Sequence, residues 1–172
     1  MDVLRERLRA LLGVELEELA GATVSGELPV RADVVNRLIA AKLAGGTGPL
    51  IAVRVQPVAD NLIDVGVTPR LRLLPFFRVE ARIVQQPALP ERPLLLLRWT
   101  VPGAGMLVRL AAPFISNLES LPPGVRIDGE LAAIDLRQLL AAHGAGELLQ
   151  YVKALRIETR PGAFVVKFEL AV

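Results

Sequence analysis

The sequence predicts an α+β fold in which a strongly curved antiparallel β-sheet, built from a meander and a C-terminal hairpin, wraps on helices. Apolar residues alternate with polar or charged ones in three successive runs within positions 51–83, and short turn-forming segments separate the runs. Apolar residues at helical spacing occupy stretches on either side of these runs. This order indicates a meander with one dry face and one charged face, packed against helices.

The first elements are a strand over 22–28 and a helix over 31–43. Gly45-Gly46 ends this helix, because glycine adopts the left-handed conformation of a helix end without strain. The meander begins at residue 51. The tripeptide Ala59-Asp60-Asn61 predicts a tight turn between its first two strands, since Asp and Asn tolerate left-handed backbone.

The second half of the chain returns to mixed elements. Pro113 kinks or divides a helical region that is apolar all round, and Asp135 is a suitable N-cap for a later helix. The predicted elements are a strand over 94–101, the apolar helical region over 106–118, a strand over 125–131, a helix over 135–142, a short turn over 146–151, and a hairpin over 155–170 that turns at Arg160-Pro161-Gly162.

Length and composition limit the possible classes of protein. The 172 residues predict an N-terminal amphipathic helix over 1–20 and one curved-sheet α+β domain over 21–172. Hydrophobic residues make up 52% of the chain and charged residues 22%, with a net charge of +2, which excludes disordered and acidic classes. The absence of cysteine and the single histidine exclude disulfide scaffolds and thiolate metal sites. The chain therefore carries more apolar residues than an ordinary domain of its length.

No run of apolar residues in the sequence is long and continuous enough for a membrane-spanning helix. A spanning helix needs about 20 consecutive apolar residues, and the longest candidate, 102–118, is interrupted by Gly103, Arg109 and Pro113. The first residues interleave arginines with leucines and lack the regions of a signal peptide. We therefore expect a cytoplasmic protein that can contact a membrane peripherally.

Catalytic chemistry is disfavoured. His143 sits at a predicted helix end, where its charge suits the helix dipole and Gly144 can supply the cap, and no serine motif accompanies it. Asp60 and Asp64 fit a solvated surface better than a general acid–base pair. No phosphate-binding or dinucleotide-binding glycine motif is present. We expect a protein that is not an enzyme and uses no cofactor or metal.

Nucleic-acid binding is also disfavoured. Arginines on the charged face of the meander give a basic surface that suits anionic lipid headgroups or a solvated sheet face. Phe76 is the only nearby aromatic residue that could stack on a base, and aromatic residues make up 4% of the chain. The outward arginines are Arg54, Arg70, Arg72, Arg78 and Arg82.

Two apolar features suggest a function. The dry face of the meander consists of Val, Ile and Leu, a lining that suits acyl chains because neither offers hydrogen-bonding groups; simple core packing beneath helices is the alternative. The run Leu73–Phe77 lies where two strands reverse, so it cannot all be buried in the sheet. We predict membrane contact through Leu74, Phe76 and Phe77, and the alternative is a strand crossing tucked under a helix.

The order of elements resembles the tubular lipid-binding (TULIP) superfamily, including small bacterial members and synaptotagmin-like mitochondrial lipid-binding domains. The likeness covers residues 22–172 and includes Asn36-Arg37-Leu38-Ile39, the meander, the apolar kinked helix, Gly124-Val125-Arg126-Ile127-Asp128-Gly129 and the final hairpin. It implies a curved sheet around a helix, enclosing a groove for lipid tails without catalytic residues. By this resemblance, the groove is formed by Val34, Val35, Leu38 and Ile39, which lie against the sheet, and by Val53, Val55, Val65, Val67, Val79, Ile83, Leu95, Leu97 and Phe114, which line it.

These observations predict non-catalytic binding or transfer of a lipid or fatty-acid-like ligand in a Val/Leu-lined groove between sheet and helices. The alternative is a homo-oligomeric structural or interaction protein. It would bury its surplus apolar surface against a second copy, as a homodimer, through the helix over 1–12 or a sheet edge.

Overall fold

The computed structural model describes residues 21, 23–44, 50–70, 76–102 and 123–171. The helix predicted over 1–20 and the apolar helical region predicted over 106–118 lie outside the described residues. The elements are β1 (Thr23–Arg31), α1 (Ala32–Ala44), β2 (Leu50–Pro57), β3 (Leu62–Pro69), β4 (Phe77–Gln85), β5 (Leu94–Thr100), β6 (Val125–Asp128), β7 (Leu131–Asp135), α2 (Leu136–Ala142), a 3-10 helix (Gly146–Gln150), β8 (Val152–Arg160) and β9 (Ala163–Ala171).

Six strands form the large sheet, in the order β2-β3-β4-β5-β7-β6, with every neighbouring pair antiparallel. This sheet is strongly curled into a half-barrel, which confirms the predicted α+β fold with a curved antiparallel sheet. The predicted turn joins β2 to β3. Asp60 and Asn61 have φ of 59° and 61°, and the Leu62 N–H donates to the Ala59 carbonyl at 3.2 Å. Positive φ at both central residues gives the turn a twist that matches the flanking strands.

The single strand predicted over 125–131 is wrong, because the chain reverses there and forms the β6–β7 hairpin. Gly129 has a φ of +55° in the connecting turn, and glycine adopts this conformation without the steric cost that a Cβ atom brings. The turn brings Asp128 opposite Leu131, so two short strands occupy the edge of the large sheet.

The C-terminal hairpin does not extend the meander. It pairs with β1 in a separate small sheet of order β1-β9-β8. The hairpin turn is bonded to both neighbouring elements: the Gly162 N–H donates to the Pro57 carbonyl at 3.0 Å, and the Ala32 N–H donates to the Gly162 carbonyl at 2.9 Å. The turn therefore lies between the end of β2 and the start of α1.

Both helices match their predicted positions. α1 covers Ala32–Ala44 against the predicted 31–43. α2 has Asp135 as its N-cap, whose carboxylate accepts from the Arg137 and Gln138 N–H groups at 2.9 and 3.2 Å. The helix ends at His143, and Gly144 follows with a φ of +71°, as the sequence predicts.

Two side-chain carboxamides hold peptide groups of β2 and β8. Asn36 on α1 accepts from the Val55 N–H at 2.7 Å and donates to the Val55 carbonyl at 2.9 Å. Gln86, just after β4, accepts from the Ile157 N–H at 2.9 Å and donates to the Ile157 carbonyl at 2.7 Å. Each carboxamide therefore makes the two hydrogen bonds that a further strand would make at that edge. Gln86 also joins the large sheet to the small one.

We expect Asn36→Ala to lower the free energy of unfolding by about 2 kcal/mol, because it leaves a partly buried N–H and carbonyl of Val55 without partners. Alanine favours helix, so the loss arises despite a better helix propensity. Urea unfolding followed by circular dichroism measures it. Lys42→Ala, an exposed change in the same helix, should stay within about 0.5 kcal/mol of wild type. Equal stabilities of the two variants would contradict the role of Asn36.

Candidate functional site

The predicted aliphatic residues share one face of the large sheet, which we call the inner face. Val55, Val65 and Val79 form one row across β2, β3 and β4. The other rows include Val53 opposite Val67 and Ile83 opposite Leu97. Leu95 lies on the same face, opposite Ile134. The predicted alternation between a dry face and a charged face is therefore confirmed.

A buried cluster occupies the middle of this face. It consists of Ile63, Ala81, Ile83 and Leu95, each 6–7% exposed. Side chains of the small sheet, Ile157 and Phe164, pack against it from the other side, so the two sheets meet face to face at the cluster.

The apolar surface extends beyond the cluster on both sheets. On the large sheet Val67 is buried, whereas Val53, Val55, Val65, Val79 and Leu97 are only half-buried. On the small sheet Leu28 is 56% exposed on the face that carries Phe164. The inner faces are thus larger than the core that they enclose.

The helix residues divide into two groups. Val35 and Ile39 are half-buried, whereas Val34 is 37% and Leu38 65% exposed. The expectation that all four lie against the sheet is therefore wrong for Leu38. α1 contacts β2 through Asn36, and a residue two positions further on points to another side of a helix because each residue turns by about 100°.

The two described residues predicted to contact a membrane, Phe76 and Phe77, lie on opposite sides of the sheet. Phe77 is opposite Val67 on the inner face and is half-buried. Phe76 is 58% exposed and covers Gly66, where an added Cβ would lie 3.1 Å from its ring. Leu74 lies outside the described residues, as does the predicted groove residue Phe114. Among described residues of the predicted loop, Phe76 alone presents an exposed ring.

The outer face of the large sheet carries exposed arginines. Arg54, Arg78 and Arg82 are exposed there, as the sequence predicts, and none forms a salt bridge with another residue that the structure describes. Arg70 is also exposed, and Arg72 lies outside the described residues. The guanidinium groups of Arg54, Arg78 and Arg82 therefore give this face exposed positive charge.

The outer face of the small sheet carries paired charges instead. Lys167 lies 2.8 Å from Glu158 and 3.5 Å from Glu27, and Arg156 lies 3.0 Å from Glu158. The hydrogen bond from Lys167 lowers the pKa of Glu158, and the same bond raises the pKa of Lys167. All these titratable groups point away from the inner faces, which carry none at their paired positions.

Two polar groups on the inner faces were not anticipated from the sequence. Trp99 Nε1 and Thr159 Oγ1 are buried and have no hydrogen-bond partner among the residues that the structure describes. The alternation of β5 does place Trp99 on the same face as Leu95 and Leu97. Its missing partner depends on contacts between elements distant in sequence, which a local pattern does not reveal.

The described residues offer few other sites. A cleft of about 330 Å³ is lined by Leu89, Pro90, Arg137, Leu149 and Gln150 among others, outside the inner faces. In the part of the chain that the structure describes, no group of three or more His, Cys, Asp or Glu could hold a metal ion. Within the same residues, no helix has the length and apolar character needed to cross a membrane.

The fold and the site define an α+β protein whose two antiparallel sheets face each other across aliphatic, uncharged surfaces. Comparisons with protein-family models, with curated proteins and with solved structures found no match.

We expect the acid sensitivity of the protein to depend in part on Glu158. A carboxyl whose pKa is lowered by folding stabilises the fold above its unfolded value, near 4.5, and this stabilisation is lost as pH falls through the folded value. Glu158→Gln should therefore flatten the fall in unfolding free energy at acid pH.

Thermal unfolding of wild type and variant across a series of acid pH values measures the change. Glu91→Gln, which removes an exposed carboxylate without a salt bridge to the described residues, is the control. Parallel profiles for wild type and Glu158→Gln would show that the ion pair contributes nothing to the pH dependence.

Proposed function

We propose that this protein binds or transfers a lipid or a similar apolar ligand, without catalysis, between the inner faces of its two sheets. The observation that supports this most directly is the extent of the inner face. Its aliphatic rows run across the large sheet, and Val53, Val55, Val65, Val79 and Leu97 are only half-buried, unlike the central cluster around Ile63 and Ile83. The remaining aliphatic surface is available to a ligand.

An acyl chain suits this surface on energetic grounds. Burial of a methylene group contributes about 0.8 kcal/mol, so covering half-buried valines with a chain of many methylenes is favourable. The lining has no charged side chains, which would otherwise lose their hydration when an apolar ligand enters. The curled sheet is also compatible with the resemblance to the tubular lipid-binding superfamily, which we retain as part of the proposal.

The same proposal gives the outer face of the large sheet a role at membranes. Arg54 and Arg78 lie on either side of Gly66 in one row, and the exposed ring of Phe76 covers that glycine. Basic side chains around an apolar ring suit an anionic bilayer, where cations meet headgroups and the ring enters the interface. Contact of this kind would bring the protein to its source of lipid.

Filling the inner face should reduce ligand uptake. We expect Val79→Phe to lower the affinity for a fluorescent fatty acid about tenfold, because the ring occupies space next to Val65 on the inner face. The matched control is Val84→Phe, the same substitution at an exposed position of the same strand, which should bind as wild type does. Fluorescence titration measures both, and circular dichroism checks that the variants fold.

A wild-type protein that takes up no fatty acid, and carries no lipid in native mass spectra after purification from cells, would refute lipid binding. A dimer by light scattering together with that result would favour the homo-oligomeric alternative, in which a second copy covers exposed residues such as Leu28.

Membrane contact has its own test. We expect Phe76→Asp to reduce co-sedimentation with anionic phospholipid vesicles about tenfold, because burial of a large apolar side chain contributes about 1.5–3 kcal/mol. Leu131→Asp, at another exposed apolar position of the large sheet, is the matched control and should sediment as wild type does. Equal sedimentation of Phe76→Asp and wild type would remove Phe76 from the membrane surface.

A further inference from the structure

Two hydrogen-bonding groups lie buried at the apolar faces where the two sheets meet, with no partner in the described part of the chain. They are the indole Nε1 of Trp99 and the hydroxyl of Thr159. Thr159 is 6% exposed, and it is the one polar residue in the buried set of the described chain. Such groups normally find partners, because an unsatisfied buried donor costs about 1–3 kcal/mol. Their presence therefore calls for a physical reason.

Both groups lie on the faces through which the two sheets pack together. Trp99 lies opposite Ala81, a member of the buried cluster, and its ring packs against that cluster. Thr159 lies opposite Phe164, which packs on the same cluster from the small sheet. The Trp99 side chain is only half-buried while its Nε1 is buried, so the N–H edge of the ring is turned inward.

The chemistry of these groups restricts what can bind them. An indole N–H only donates, so its partner must be an acceptor atom, and a threonine hydroxyl can donate to an acceptor as well. The paired positions of both inner faces carry no lysine, arginine or histidine that could neutralise an anion. An ionised carboxylate would lose far more hydration free energy than two neutral donors restore, whereas the smaller loss of a neutral carbonyl oxygen is offset by one hydrogen bond.

We propose that Trp99 Nε1 and Thr159 Oγ1 are hydrogen-bond donors to the carbonyl oxygens of an uncharged acyl ester, whose chain lies along the inner face. This inference rests on the proposed lipid binding and specifies its ligand class. It explains why two donors are kept in an aliphatic interior, and it predicts preference for a neutral ester over an ionised fatty acid or a plain hydrocarbon.

The experiment compares three probes of equal chain length: methyl palmitate, palmitate and hexadecane, at a pH where palmitate is ionised. Trp99 is the only tryptophan in the chain, so a ¹⁵N-labelled sample gives one indole N–H resonance that reports on this donor directly. We expect methyl palmitate to shift that proton downfield, and hexadecane to leave it nearly unchanged even where it binds.

Two conservative variants test the donors. Trp99→Phe and Thr159→Val should each reduce the affinity for methyl palmitate relative to hexadecane by about threefold to tenfold, the usual value of one hydrogen bond. Val79→Ala, which removes apolar contact only, should lower the affinity for both probes and leave the ratio of the two affinities unchanged. Thr159→Val should melt at the same temperature as the ligand-free wild type or higher, because it removes an unsatisfied buried hydroxyl.

The outcomes separate the two proposals. All three probes can bind while the ratio of the affinities for methyl palmitate and hexadecane is the same in wild type, Trp99→Phe and Thr159→Val. In that case lipid binding stands and the ester inference is wrong. Stronger binding of palmitate than of methyl palmitate would also overturn it. If none of the probes binds, the proposed function fails and the ester inference fails with it.

Discussion

The carboxamides of Asn36 and Gln86 satisfy backbone groups at one edge of each sheet. Each one bonds both peptide groups of a single strand residue, Val55 on β2 and Ile157 on β8. The side chains of these two residues pack against the buried cluster. A backbone whose hydrogen bonds were open at these points would attract another strand or water. Because carboxamides satisfy these peptide groups, neither edge strand needs a further strand at these positions, and the two sheets meet through their apolar faces.

The charged surfaces follow from this face-to-face arrangement. With aliphatic side chains turned inward on both sheets, every charged residue of the paired strands lies outside. The small sheet pairs its charges in a network around Lys167, whereas the large sheet leaves Arg54, Arg78 and Arg82 without partners among the described residues. The exposed guanidinium groups of the large sheet are the observation on which the proposed membrane contact rests.

Local signals in the sequence predicted most elements. Helical spacing before Gly45 gave α1 to within one residue, and Asp60-Asn61 marked a turn with positive φ because these residue types tolerate it. Period-two alternation placed the inner-face residues of the meander correctly. Gly129 is itself a turn signal, but the apolar residues on both sides of it favour one strand over 125–131, where the structure has the β6–β7 hairpin. The pairing of β1 with β9, the carboxamide bonds and the unsatisfied donors involve residues far apart in sequence, so no local pattern indicates them.

The strand order of the small sheet has a consequence during biosynthesis. β1 emerges from the ribosome before any other described strand, whereas its partner β9 emerges after all of them. The six strands of the large sheet can pair with one another while β1 still lacks its neighbour. The nascent chain must therefore carry an unpaired strand, and an uncovered inner face, until β9 has emerged. Chaperone binding to the nascent chain should then be concentrated in this interval, since exposed strand edges and apolar surface are what make partly folded chains prone to aggregation.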